Sequence, residues 1–238
     1  DWVWNPVWGC LHRCNFCYAR KLAKRFGRQM AEWEWRERTQ TNTDTWVSKK
    51  ELAERLTAYK PTFLWHNYRK SFPKKPCRIF VNSMSDPAFW EKEWIDLVLQ
   101  RIKATPEHHF LFLSKAPESY LRFVDGEPFL PANVWLGATV LNNKQLIQFQ
   151  NTLFALKGYG AKIIFVSLEP LLEPISPHLI DTPIDWIIIG AQTNPYRPPK
   201  REWVEEIVEF ASDVNIPVFL KENLKPVWGN NLIREFPF

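Results

Sequence analysis

Apolar positions fall into two patterns along the chain. From residue 78 onward, short continuous apolar runs alternate with stretches of helical period. The runs are Arg78–Asn82, His109–Leu113, Val134–Thr139, Lys162–Leu168, Trp186–Gly190 and Pro217–Lys221, and each reads as a buried strand. The helical stretches are Trp90–Lys103, about Lys144–Leu156 and about Arg201–Ala211. Runs that are apolar at every position, not every second one, suit strands covered on both faces. That is the mark of a parallel sheet flanked by helices. Six such strands, with a short one within Val3–Val7, predict an α/β fold, a partial (β/α) TIM-like barrel of about six to seven parallel strands. A flat doubly wound sheet is the alternative. No G-x-G-x-x-G or Walker loop supports a nucleotide-phosphate fold.

Before residue 78 the periodicity is weaker. Helix-forming residues follow Cys17, with Leu22 and Phe26 as apolar positions. A second helix is expected over about Lys49–Leu56, capped by Ser48. A polar stretch, 39–45, lies between them, and Pro61–Pro76 reads as irregular with one short helix. Trp33 and Trp35 stand two apart and cannot share a helix face, so at least one is expected in the open or in a loop. The organisation expected is one domain, 1–238, with a basic, aromatic-rich insertion at about 27–77.

Charge sharpens that division. The 238 residues carry 31 Lys/Arg and 26 Asp/Glu, a net of +5. Residues 18–78 alone hold 16 basic and 6 acidic side chains, net +10, and the remainder nets −5. The same segment holds ten aromatic residues. Basic side chains interleaved with rings suit nucleic acid, charges following phosphates and rings stacking on bases, with Arg69, Lys70, Lys74 and Lys75 as candidate contacts. A solvated helical surface is the plainer reading. No apolar run reaches membrane-span length, and residues 1–4 lack a basic-then-apolar leader, so neither a membrane nor a signal peptide is expected.

The candidate chemistry is concentrated in three cysteines. Cys10, Cys14 and Cys17 fall within eight residues, and Cys77 stands apart. A disulfide framework fits this crowding poorly. Three thiolates on a tight loop suit a soft metal centre, iron–sulfur or zinc. A closed zinc site needs a fourth ligand, from Cys77 or from His12, His66, His108, His109 or His178. In a barrel, chemistry sits on loops after the strand C-termini. The cysteine loop would follow the first strand there, whereas Cys77 precedes a strand and belongs at the opposite end. The other strand ends are polar: Asn82, Ser83 and Asp86; Ser114 and Lys115; Thr139 and Asn142; Glu169; Gln192; Lys221 and Glu222. As a set they suggest a lined pocket.

The spacing C-x3-C-x2-C, with Phe16 before the last cysteine and Tyr18 after it, resembles the radical S-adenosylmethionine superfamily. Residues 4–10, 79–86, 134–137, 167–172 and 185–190 resemble, in order, a phage-type three-cysteine-motif family of that superfamily. Ala191 and Gln192 stand where that family has Gly and Glu. The resemblance implies that Cys10, Cys14 and Cys17 hold a 4Fe–4S cluster whose open iron chelates S-adenosylmethionine. Reductive cleavage would then yield a 5′-deoxyadenosyl radical that abstracts hydrogen from a substrate. It further implies cofactor contacts from Tyr18, Asn82, Ser83, Asp86, Thr139, Asn142 and Gln192. Lys115, Glu169 and Lys221 are the candidate catalytic residues. An electron donor such as flavodoxin or ferredoxin and a cytoplasmic, reducing setting follow from such a cluster. Nucleic acid or a nucleotide derivative is one substrate class, a peptide or small metabolite another. A metal-knuckle nucleic-acid-binding module without turnover is the competing reading.

Overall fold

The structure is a computed structural model and describes residues 2–126, 128–176 and 183–237. In chain order, β1 is Trp2–Val3, β2 Val7–Trp8, α1 Tyr18–Thr41, α2 Lys49–Thr57, β3 Thr62–Phe63, α3 Trp65–Tyr68, β4 Arg78–Phe80, α4 Lys92–Lys103 and β5 His109–Ser114. They are followed by β6 Val134–Thr139, α5 Asn143–Gly158, β7 Ile163–Leu168, β8 Trp186–Ile189, β9 Gln192–Thr193, β10 Tyr196–Arg197, α6 Arg201–Asp213, β11 Val218–Leu220 and α7 Lys225–Trp228.

Seven strands form one parallel sheet in the order β1-β4-β5-β6-β7-β8-β11. The order in space follows the order in the chain. A doubly wound sheet would reverse direction at a switch point, and this one does not. The fold is therefore α/β with the winding of a partial β/α barrel, as the apolar runs predict. Strands β6 and β7 are buried at every position. This is why they read as continuous runs instead of alternating ones. Among the described residues no helix is long and apolar enough to cross a membrane.

By internal packing the chain divides into two compact units, residues 1–112 and 113–238. In the first, α1 runs for 24 residues, into the polar stretch where the sequence suggests a break. The Cys17 side chain caps its start by accepting from the Arg20 amide, and Asn42, left-handed at φ 50°, ends it. Its buried face carries Ala19, Ala23, Gly27 and Ala31, small enough to admit α2. A Cβ on Gly27 would stand 2.8 Å from the Thr57 nitrogen. Ser48 caps α2 as expected, accepting from the Glu51 amide at 3.2 Å. Trp33 and Trp35 both lie on α1 and both stay exposed. The Pro61–Pro76 stretch holds the expected short helix, α3, and an unexpected strand, β3, antiparallel to β2.

Inside this unit α1 buries a charged pair. Glu34 is fully buried and Arg38 nearly so, with Arg38 Nε donating to Glu34 Oε1 at 2.6 Å. The same carboxylate accepts the amides of Trp65 and His66, and Arg38 Nη2 donates to the Phe63 carbonyl at 3.0 Å. Arg101 packs over the rings of Trp4, Tyr68 and Phe72. Half the aromatic residues of the basic segment are therefore engaged within the unit: Tyr59 and Phe63 are buried, and the half-buried Trp65, Tyr68 and Phe72 are packed in ring clusters.

In the second unit the helices and strands alternate as the pattern predicts. α5 and α6 begin within a residue of their expected starts and run two residues further. Asn142 caps α5, its side-chain oxygen accepting from the Gln145 amide at 2.9 Å, while Gln145 Oε1 accepts from the Leu141 amide at 2.8 Å. The two bonds satisfy two otherwise unpaired donors at the start of the helix. The β9–β10 hairpin is an addition that its polar sequence does not announce.

Candidate functional site

The cysteine loop is tied to the segment after β4. Gly9 bridges to Ser85 as a parallel pair and donates its amide to the Met84 carbonyl at 2.9 Å. A side chain has no room there: φ is +114°, and a Cβ would lie 2.3 Å from the Lys60 carbonyl. The loop is thus seated at the C-terminal end of β4, where barrel chemistry collects. Cys77 precedes β4, and its sulfur lies 3.6 Å from His108 Nδ1 at the start of β5. The expectation that Cys77 sits at the other end of the strand holds.

Further ties fix the loop. His12 Nε2 and Asp86 Oδ2 are 2.9 Å apart, and the other Asp86 oxygen accepts the Ala88 amide. Phe89 meets the His12 ring edge-on at 4.7 Å. Tyr18 donates to the Ser83 carbonyl at 3.0 Å, and the Ser83 hydroxyl exchanges hydrogen bonds with the Asn5 amide. Asn82 donates to the Ser85 carbonyl. Arg20 reaches the Cys10 carbonyl at 3.5 Å and lies over the Tyr59 ring. The sequence reading sends Tyr18, Asn82, Ser83 and Asp86 to a cofactor. In the structure each engages the cysteine loop or the turn that supports it. His12, Asn5 and Tyr59 are partners that reasoning from the sequence does not find, because their contacts span 49 to 78 positions.

Burial pushes the Cys10 thiol up to about 12, with the charges of Asp86, Cys14 and Cys17 adding and a His12 backbone hydrogen bond opposing. Burial likewise raises Tyr59, reinforced by Cys17 and Cys10. Cys14 and Cys17 are therefore within electrostatic reach of Cys10. Among the described residues no three His, Cys, Asp or Glu side chains converge as a formed metal-ion site. By donor chemistry, three soft sulfurs on one loop fit an iron–sulfur centre. Ligation there requires a cationic centre able to displace the protons. Of the candidates for a fourth zinc ligand, His12 is held by Asp86, and Cys77 and His108 lie at the far end of β4; His178 falls outside the described residues.

In the second unit, β7, β8 and β11 end level. Leu168 pairs with Ile189 and Ile189 with Leu220. The next residues are Glu169, Gly190 and Lys221. Because the middle position lacks a side chain, Lys221 Nζ reaches across it to Glu169 Oε2 at 2.8 Å. A Cβ on Gly190 would lie 2.9 Å from the Glu169 carboxyl carbon. The pair is partly exposed, so its charges remain available to a polar ligand. Of the other predicted residues, Thr139 is buried at the end of β6 beside Ser167. Asn142 caps α5, and buried Gln192 donates to the Pro195 carbonyl at 2.8 Å. Lys115 follows β5 directly. Asn223, which exchanges two hydrogen bonds with the Ala191 backbone, is a strand-end residue the sequence reading omits.

No curated protein matches the chain. One family model matches residues 1–232, and it is described as a protein of unknown function, DUF5131. With nearly the whole chain covered, the protein belongs to this DUF5131 family.

Proposed function

We propose that the protein is a radical S-adenosylmethionine enzyme whose cluster is held by Cys10, Cys14 and Cys17. The observation that carries this reading is the seating of a three-thiol loop at the C-terminal end of β4, with the fourth cysteine at the other end of that strand. Three ligands without a fourth leave one iron of a 4Fe–4S cluster open. When bound, that cluster supplies the electron that cleaves S-adenosylmethionine and so generates a 5′-deoxyadenosyl radical.

The chain's own residues then have distinct tasks. Asp86 holds His12, Tyr18 holds the Ser83 carbonyl, and Gly9 lets the loop lie flat on residues 60–61; together they fix where the sulfurs can converge. Glu169 and Lys221 offer a carboxylate and an ammonium at strand ends, able to orient a polar substrate or accept a proton. Lys115, Thr139, Asn142 and Gln192 stand at or just past the ends of their strands, where ligand contacts gather in β/α proteins.

Anaerobic reconstitution tests the reading. About four irons and four sulfides per chain are expected, with 5′-deoxyadenosine released on reduction. Cys10→Ala, Cys14→Ala and Cys17→Ala should each abolish release, and Cys77→Ala should leave iron content unchanged. A single zinc with no brown chromophore, or full release from the Cys14→Ala variant, would overturn it.

A further inference from the structure

Helix α1 is divided in its electrostatics. In its second half the cations meet carboxylates: Arg36 pairs with Glu32 and Arg38 with Glu34, while Glu37 holds Arg69 at 2.7 Å. Its first half differs. Residues 18–28 contain five cations and no acid. Arg20 turns inward to Tyr59 and the Cys10 carbonyl. Among the described residues no carboxylate pairs with Lys21, Lys24, Arg25 or Arg28. Lys21, at the end of the first turn, also opposes the helix dipole, so helix stability does not account for it.

These cations border exposed rings. At 3.6 residues per turn, Tyr18, Leu22, Phe26 and Trp33 fall on one stripe, and Lys21, Arg25 and Arg28 on the adjoining one. Tyr18 is 50% exposed, Leu22 and Phe26 37% each and Trp33 40%. The Arg25 guanidinium lies 4.9 Å from the Phe26 ring centre, joining the stripes. The face spans about 22 Å. By contrast, Arg69, a candidate contact from the sequence, is held by Glu37, Thr41 and Thr43 and lies over Trp65.

We propose that this face of α1 binds single-stranded nucleic acid, with Lys21, Arg25 and Arg28 on phosphates and Phe26 and Trp33 under bases. A row of unpaired cations matches a polyanion, and a partly exposed ring can present its face to a base. A bilayer would require the apolar side chains to insert some 5–10 Å, and here half or more of each is already covered. The assignment does not depend on a cluster.

Fluorescence anisotropy on the full chain tests it, using a labelled mixed-sequence single strand of about 20 nucleotides across a salt series. Binding should weaken linearly in log salt. The combined Lys21→Glu, Arg25→Glu and Arg28→Glu variant should lose at least about tenfold in affinity and flatten the slope. Trp33→Ala should lose about fivefold or more with the slope kept. Circular dichroism melts check folding; if the triple variant melts early, Lys21→Gln with Arg25→Gln carries the same test. Cys10→Ser, Cys14→Ser and Cys17→Ser together should leave affinity intact, which separates this surface from the cluster. The proposal is overturned by no binding at low salt, or by unchanged affinity in the charge variants. It is equally overturned by equal affinity for polyglutamate or phosphatidylserine vesicles, or by loss of binding in the serine variant.

Discussion

The two units use polar groups differently. In residues 113–238 some polar ties are short in sequence, Asn142 to Gln145, Gln192 to Pro195 and Arg201 to Glu205, and others, Lys157 to Asp185, Asn223 to Ala191 and Trp186 to Glu235, span 28 to 49 positions. The Glu169–Lys221 pair is longer still, set by β7 and β11 ending level on either side of β8. In residues 1–112 long ties reach 65 to 78 positions, Asn5 to Ser83, His12 to Asp86 and Tyr18 to Ser83, with Glu34 to Trp65 at 31. The second unit is assembled by period, burial and local caps. The first is laced together by specific polar contacts between distant segments, and one of them, Glu34 with the Trp65 and His66 amides, uses a fully buried carboxylate. Regularity can be replaced piecemeal; a laced structure concentrates its stability in a few knots.

Glu34→Ala probes the tightest of these knots. It leaves the Arg38 guanidinium buried without its carboxylate and removes the acceptor for two amides, so a loss of about 3–5 kcal/mol is expected in denaturant titration. A loss below about 1 kcal/mol would erase the contrast between the units. Asn142→Ala, the corresponding change in the second unit, removes only a cap and should cost about 0.5–2 kcal/mol, read by the same titration. The smallest effect is on acid sensitivity. Burial holds His66 and His109 below the ordinary 6.5, with Lys70 adding at His66 and Arg78 and His108 at His109. Glu34 and Glu37 oppose this at His66. The folded chain thus binds fewer protons than the unfolded chain just below that value. The contribution is fully present above about pH 6.5 and lost as pH falls toward the lowered folded values. Urea midpoints measured downward from neutrality should fall, and His66→Gln with His109→Gln should flatten that fall. An unchanged slope would place the acid sensitivity elsewhere.

What the sequence reveals follows the same division. Strands β4 to β8 and β11 are legible because burial on both faces leaves an unbroken apolar run. Helix α2 is legible because Ser48 is a cap by chemistry. Helix α1 is harder: Trp33 and Trp35 are exposed and Glu34 and Arg38 are buried, so its pattern is inverted just where the polar stretch begins. Strand β3 has two residues and exists through its pairing with β2, which nothing local records. At the site, the three cysteines and the Glu169 and Lys221 strand ends stand out by type and position. The ties of Asp86 and Ser83 do not, since their partners are 74 and 78 residues away.

The pairing of β2 with β3 bears on modularity. Residues 27–77 look like a cassette added to a barrel. Yet Phe63 and Thr62 pair with Val7 and Trp8, and Trp4 donates to the Asn67 carbonyl. The Leu64 amide is held by Pro6, and Trp8 and Met84 share a core with α1 and α2. A chain shortened by that segment would lose the backing of the cysteine loop itself. The segment is therefore no detachable accessory: any lineage or design that dispenses with it must rebuild the first ten residues as well.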